Sequence, residues 1–261
     1  METYEFNGEK YKKASKHQKE WGSRLISGLH LKGDESILDL GCGDGALTEQ
    51  LSLLVPDGSA AGIDASEGMI RTANKHVRDN LKFIQMNMTD MDFKNQFDVI
   101  FSNAALHWVK DHTLLLKRAF TALKPGGMIL WNFAGEGNCS DFFDILQVII
   151  KSEPYKQYFE FFEWPWYMPS RSEYEELIKL SGFTSASITE ENADRYFSNA
   201  DEMIQWIDQP SLVPFIQYIP EEMKNIFRNE VIEASLQRAL QSDGTCFQPF
   251  RRLKVRAYKQ L

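Results

Sequence analysis

Cysteine is scarce in this chain: its three residues, Cys42, Cys139 and Cys246, are odd in number and widely separated. No metal-ligand or redox spacing joins them, so neither a disulfide framework nor a thiolate metal site is expected, and no metal is inferred. Such cysteine usage suits a reducing, cytoplasmic setting. Long apolar runs are missing too. None approaches the roughly 20 residues that span a bilayer, and the opening METYEFNGEKYKKASK is polar, unlike a secretory signal. A soluble protein without a membrane partner is expected. Positive charge is in deficit, with 29 Lys and Arg against 37 Asp and Glu and a net charge of −8. That balance argues against a broad nucleic-acid or anionic-membrane surface. One basic run, RRLKVRAYK, remains, but there Leu253, Val255 and Ala257 alternate with Lys254, Arg256 and Tyr258. The alternation reads as a half-exposed strand. Internal repeats and low-complexity linkers are also absent.

What is present is an ordinary globular composition, 43% hydrophobic and 25% charged over 261 residues. The length suits one α/β domain carrying a helical insertion. An amphipathic stretch over 11–29 places Trp21, Leu25, Ile26 and Leu29 on one helical face. Apolar strands at 36–40, 59–63, 81–86, 97–102 and 128–133 then alternate with helical stretches near 46–54, 66–78 and 111–123. Lys124-Pro125-Gly126-Gly127 marks the break before the fifth strand. This alternation predicts a parallel sheet with right-handed crossovers and helices on both faces.

Beyond Phe133 the rhythm changes. Residues 141–167 read as helical and strongly aromatic, followed by a helix at 171–181, a strand at 184–191, helices near 200–209 and 221–241, and a strand near 252–259. The expected fold is α/β, a Rossmann-like doubly wound sheet of seven strands, mostly parallel with the last antiparallel, bearing helical lid insertions. Residues 1–135 would form the core with its N-terminal helix, 136–183 an aromatic helical insertion, and 184–261 the last strands with a further helical insertion. All three would belong to a single compact domain.

The central motif is Ile37-Leu38-Asp39-Leu40-Gly41-Cys42-Gly43-Asp44-Gly45, a strand, a tight turn and a helix start. Its glycines permit positive φ and close approach of a ligand to the backbone. A dinucleotide site uses Gly-x-Gly-x-x-Gly to cradle a pyrophosphate; here the spacing is Gly-x-Gly-x-Gly, flanked by Asp39 and Asp44. Two carboxylates would repel a pyrophosphate and suit a ligand with a sulfonium and an ammonium. No Lys-Ser or Lys-Thr follows, which excludes a Walker loop. Asp64 ends the second strand about 20 residues further on, where a ribose-binding carboxylate belongs; its alternative role is to cap the helix that follows. The charge pattern favours S-adenosylmethionine.

LDLGCGDG, GIDASEGMI, FDVIFSNAALHWV and LKPGGMIL, in that order, resemble the class I S-adenosylmethionine-dependent methyltransferase family. Within it the chain is similar to the small-molecule branch that contains the trans-aconitate and juvenile hormone acid methyltransferases. The resemblance implies that Asp39, Gly41, Cys42, Gly43 and Gly45 surround the methionine part of the cofactor. It further implies that Asp64 binds ribose, with Ala65 and Met69 near the adenosine, that Asn87 and Met88 hold adenine, and that Asn103 and Ala104 lie beside the reacting methyl. Asn87 stands where many relatives have Asp; its carbonyl oxygen would accept from the adenine amino group. Tyr11, Gln18 and Trp21 would close over the cofactor, and Gln18 and Trp108 would orient the substrate. Ser102-Asn103-Ala104-Ala105 stands where nucleic-acid methyltransferases carry Asn-Pro-Pro-Tyr or Asp-Pro-Pro-Tyr, so no nucleic-acid partner is expected.

Methyl transfer requires an aligned nucleophile and exclusion of water. A carboxylate is already ionised at neutral pH, whereas a phenol or amine needs a base. His107 is the candidate base, with Gln18 and Trp108 beside it; its bland alternative is packing at the start of the next helix. Arg251 or Arg252 is a candidate for pairing with a substrate carboxylate, although a surface role is the commoner fate of an arginine. The expected activity is methylation of a small molecule, first of all O-methylation of a carboxylic acid. N- or phenolic O-methylation and a cofactor-binding scaffold without activity are the alternatives.

Overall fold

The computed structural model describes residues 16–261; the expectations for Tyr11 and for a helix start at 11 lie outside them. The chain forms two compact units. Of the described residues, the first comprises those up to Glu136, Trp166–Glu191 and Arg252–Leu261; the second comprises Gly137–Pro165 and Asn192–Arg251.

The first unit is built on a seven-stranded sheet. Its strands are β1 (Ser36–Leu40), β2 (Ser59–Asp64), β3 (Leu81–Gln85), β4 (Phe97–Asn103), β5 (Leu123–Ala134), β6 (Thr184–Asn192) and, after β7 (Arg195–Phe197) and β8 (Cys246–Gln248) of the second unit, β9 (Arg251–Tyr258). Their order is β3-β2-β1-β4-β5-β9-β6. β1 through β5 pair in parallel, and β9 runs antiparallel to β5, the orientation expected of the last strand. Winding reverses between β1 and β4, which opens a crevice at their C-terminal ends, the usual ligand position in such sheets. β5 begins five residues earlier than the sequence suggests: Leu123 already pairs with Phe97, and the register shifts before Met128 meets Val99. Pro125-Gly126-Gly127 is absorbed in that irregularity instead of preceding the strand.

Period-two alternation sorts the strand residues onto two faces. Ile37, Val99, Phe101 and Leu130 pack with Leu25 and Ile26 of helix α1 (Lys16–Ser27), with Leu29 just beyond it and with Leu51 of α2 (Ala46–Leu54). Leu38, Leu40, Ile100, Ile129 and Trp131 face Leu115, Leu116 and Ala119 of α4 (His112–Ala122). Between them in the chain lies α3 (Glu67–Ala73), capped by Ser66, whose hydroxyl accepts from the Met69 amide at 3.3 Å.

The second unit opens with α5 (Ser140–Lys151). Here the sequence reading overextends: no α-helix continues to 167, and only a short 3₁₀ turn at Lys156–Tyr158 follows. Pro154 lacks an amide proton and its ring clashes with a helical carbonyl four residues back, which ends the pattern. The aromatic residues instead build a core of rings within this unit, with Phe162 at 5.0 Å from Phe215 and Tyr155 at 5.0 Å from Phe227. In the first unit α6 (Arg171–Leu180) starts on a capping box in which Ser170 and Glu173 bond each other's backbone amides. The second unit continues through α7 (Ala200–Trp206), α8 (Val213–Ile216) and α9 (Glu221–Ala239). No helix among the described residues is long and apolar enough to cross a membrane.

Candidate active site

The turn after β1 is held from below by one carbonyl: Ile63 O accepts from both Gly41 N at 2.8 Å and Cys42 N at 3.0 Å. Gly41, Gly43 and Gly45 have φ of +71°, +55° and +83°, conformations that side chains oppose. A Cβ on Gly41 would stand 2.3 Å from Ala105 Cβ, whereas one on Gly43 would meet nothing within 4 Å. Gly41 is therefore a packing glycine, and Gly43 presents bare backbone to open space. Cys42 packs its sulfur over Gly62, and burial holds its thiol well above the ordinary range, so it is no nucleophile.

Asp64, at the end of β2, is locked by two backbone donors: Gly43 N to Oδ2 at 3.0 Å and Ser66 N to Oδ1 at 2.9 Å. The carboxylate thus joins the glycine turn to the cap of α3, and each oxygen keeps further accepting capacity. Ala65 follows, its carbonyl accepting from Gln85, and Met69 is a buried residue of α3. Asp39 is buried and accepts from the Thr48 hydroxyl at 2.7 Å. Burial pushes its carboxyl up to about 7, against the pull of Thr48, and Asp64 adds to the rise. Asp44 departs from the sequence argument: Lys19 of α1 reaches it at 2.5 Å, so its charge is already met and Asp39 is the acidic group left for a cationic ligand.

α1 is drawn onto the sheet edge by a second link, from Asn103 Nδ2 to the Gln18 carbonyl at 2.8 Å. Gly22 permits it, since a Cβ there would crowd Leu47 at 2.2 Å and Asn103 at 3.1 Å. Ala104 follows with φ of +57°, a strained setting for a residue with a Cβ. Its amide is secured by Asn132 O at 2.7 Å. Met88 lies by the glycine turn, its methyl 3.4 Å from where a Gly41 Cβ would stand. Asn87 uses its carbonyl oxygen internally: Thr89 donates to it from both N, at 3.1 Å, and Oγ1, at 2.9 Å. Both donors meet the oxygen that the sequence reading expects to accept from adenine.

His107 and Trp108 occupy a 3₁₀ turn after β4. Trp166 packs at 5.3 Å from Trp108, and Tyr167 N donates to the His107 carbonyl at 2.9 Å. Below the turn His112, missed in the sequence, links Nε2 to Leu106 O at 2.9 Å and Nδ1 to the Tyr174 hydroxyl at 3.0 Å. A carbonyl only accepts, so Nε2 carries the proton and Nδ1 receives the phenol. Burial lowers His107 to about 3, helped by the charges of Arg252 and His112. Three polar atoms at this sheet edge are buried without a hydrogen-bond partner: Gln18 Oε1, Asn103 Oδ1 and His107 Nδ1. Buried polar atoms left unpaired are costly, and these fit a site completed by ligands.

The arginines also part company. Arg251 pairs with Asp194 in the second unit. Arg252, for which a surface role was the stronger expectation, is buried in the first. Trp21, read as a core partner of Leu25, carries the Arg252 guanidinium over its ring at 4.2 Å.

Residues 37–127 match the methyltransferase domain family. The chain is 28% identical over 246 residues to an uncharacterized methyltransferase of Schizosaccharomyces pombe, covering 90% of this chain and 91% of that one. It is 29% identical over 235 residues to a trans-aconitate 2-methyltransferase of Mycobacterium tuberculosis, covering 88% and 87%. Its fold is similar to that of phosphoethanolamine N-methyltransferase 2 of Haemonchus contortus, solved with phosphomonomethylethanolamine and S-adenosylhomocysteine, with a TM-score of 0.58 and 21% identity. That match covers 93% of this chain and 53% of the solved one. Sheet order, domain match and relatives together indicate an S-adenosylmethionine-dependent methyltransferase with the class I fold. Within that class the chain resembles the trans-aconitate methyltransferases.

Proposed function

We propose that this enzyme O-methylates a carboxylic acid of low molecular weight. The observation that carries the reading is His107, half-buried at the sheet edge, with its Nδ1 buried and unpartnered and its pKa lowered to about 3. An imidazole so weakly basic does not deprotonate a phenol or an ammonium, whereas a carboxylate arrives already ionised. His107 then serves as a neutral hydrogen-bonding group rather than as the base first suggested by its position. The trans-aconitate methyltransferase relative, whose name is that of an acid-methylating enzyme, supports the same class.

When bound, S-adenosylmethionine supplies an electrophilic methyl group on a sulfonium. Gly43 and its neighbours receive the methionine part, Asp64 accepts from ribose, and Ala65, Met69 and Met88 border the adenosine. Asn103 and Ala104 lie beside the transfer point, with Gln18 and Trp108 orienting the acceptor. Asp39 faces the cofactor's positive charge, and a cation beside it favours its ionised form. Cofactor affinity therefore rises with pH as the free enzyme's Asp39 ionises near 7. Calorimetry is expected to give about tenfold tighter binding at about pH 7.5 than at about pH 5.5. Asp39→Asn should abolish that dependence, and a wild-type affinity flat over the same range would remove Asp39 from cofactor binding.

The reaction itself is tested by incubating the protein with methyl-labelled S-adenosylmethionine and a panel of small acids, amines and phenols. Base-labile methyl esters are expected. Labelled amines or phenyl ethers, with no ester, would overturn the acid reading.

A further inference from the structure

Asn103 ends β4 at the crevice where the winding of the sheet reverses, and it is only 8% exposed. The orientation of its amide is fixed by a bond. Nδ2 donates to the Gln18 carbonyl at 2.8 Å, and a carbonyl only accepts, so the other end of the amide is the oxygen. A Cβ on Gly22 would stand 3.1 Å from that nitrogen. Helix α1 thus lies against the donor end of the amide, and the oxygen is the end left for a ligand. Asn103 Oδ1 is buried without a hydrogen-bond partner. Gln18 Oε1 is a second amide oxygen in the same condition, and His107 Nδ1 follows on the turn that leaves β4.

These atoms differ in what they can receive. An imidazole nitrogen donates in one tautomer and accepts in the other, so His107 suits a carboxylate oxygen or a hydroxyl hydrogen. An amide oxygen only accepts. A carboxylate set against Asn103 Oδ1 and Gln18 Oε1 would bring lone pairs to lone pairs and leave both oxygens unpaired, which is costly in a buried site. The ligand that completes this edge therefore brings a hydrogen-bond donor. The ammonium of the cofactor is one such donor, yet a buried cation is matched best by a carboxylate. Asp39, buried at the start of the glycine turn, fills that role. A neutral hydroxyl or amide N–H is matched by an amide oxygen with no ion to desolvate. We propose that the acid methylated here carries such a neutral donor, a hydroxyl or an amide N–H, and that Asn103 Oδ1 selects for it, with Gln18 Oε1 as a second acceptor. This rests on the acid-methylation reading and narrows the substrate to hydroxy or amido acids.

The test uses pairs of acids that differ in one group: hydroxy acids with their deoxy analogues, and N-acyl amino acids with analogues in which oxygen replaces the N–H. Unsubstituted mono-, di- and tricarboxylic acids complete the panel. Wild type, Asn103→Leu and Gln18→Leu, all checked for folding by circular dichroism, are assayed with methyl-labelled S-adenosylmethionine. Wild type is expected to favour the donor-bearing member of a pair by at least about 30-fold in kcat/KM, because the analogue leaves a buried acceptor unpaired. In Asn103→Leu that ratio should collapse to within about threefold, whereas loss of the link to α1 alone would lower both members alike. S-adenosylhomocysteine affinity, measured by calorimetry, should stay within about threefold of wild type. If acids are methylated but wild type does not separate the pairs, or an acid without a donor is methylated best, the proposal is overturned while acid methylation stands. A folded Asn103→Leu that keeps the ratio also overturns it. So does a larger loss of S-adenosylhomocysteine affinity, which would assign the oxygen to the cofactor's ammonium. If Asn103→Leu does not fold, Gln18→Leu decides by the same ratio, since it keeps the backbone carbonyl that Asn103 binds. A wild type that methylates amines or phenols and no acid overturns both readings.

Discussion

Alanine at Gly41 and alanine at Gly43 are expected to fail in different ways, although only Cys42 separates them. At Gly41 a methyl would meet Ala105 Cβ at 2.3 Å in a backbone of φ +71°. Overpacking costs roughly 1–3 kcal/mol and the left-handed conformation about 1–2 kcal/mol more. Gly41→Ala should therefore lose about 3 kcal/mol in urea denaturation, a large part of the stability of an ordinary domain. At Gly43 the methyl enters open space, so only the conformational cost of about 1 kcal/mol remains. The same methyl projects where the proposed cofactor site begins. Gly43→Ala should stay folded and bind S-adenosylmethionine about a hundredfold more weakly, by calorimetry, the effect of a steric clash in a fitted site. A Gly41→Ala protein as stable as wild type, or a Gly43→Ala protein with wild-type affinity, would refute the division of labour drawn between them.

The second large effect concerns acid and His112. Burial lowers its imidazole from 6.5 to about 4, against the opposing influence of the Leu106 carbonyl. Between those values the unfolded chain binds the proton and the folded chain does not, so stability falls as pH drops through that window. From about pH 7.5 to about pH 4.5 the loss from this one group is about 2–3 kcal/mol. Asp39 works in the other sense, since its raised pKa makes the folded chain hold a proton longer than the unfolded one. The two are separated by comparing wild type with His112→Gln. The variant should be less stable at about pH 7.5, because Leu106 O and the Tyr174 hydroxyl lose their shared partner, at about 1–3 kcal/mol. That deficit should shrink or reverse by about pH 4.5. A deficit of constant size in urea titrations at both pH values would show that His112 does not carry the acid response.

The parts of the fold written in short-range pattern were legible in the sequence. Each of β1, β2 and β4 is a run of apolar residues ended by a turn, and the strand-turn-helix from Ile37 to Gly45 carries its geometry in its own glycines. Asp64 was legible for the same reason, being one strand away at a fixed spacing. His112, Asn132 and Arg252 were not, because their meaning comes from partners far along the chain: Tyr174 for His112, and Trp21 and Asn132 for Arg252. No local pattern distinguishes a buried arginine from a surface one at the start of an alternating strand. Asp44 misled for a similar reason, since Lys19 answers it from another helix. The aromatic stretch misled through composition, because rings that favour burial say little about helix length once Pro154 interrupts the backbone.

The place of β9 between β5 and β6 imposes an order of assembly. β5 leaves the ribosome with Ile129, Leu130, Trp131 and Phe133, all fully buried in the finished sheet, yet one of its edges has no partner until β9 emerges. Synthesis of the entire second unit falls within that interval. An apolar strand with an open row of amides and carbonyls is a template for pairing with other chains, and slow completion lengthens its exposure. The finished sheet removes the hazard by covering β5 with the cationic β9 and turning outward β6, a mostly exposed strand bearing Glu190 and Glu191. Yield and solubility of this enzyme should therefore depend on how soon β9 docks.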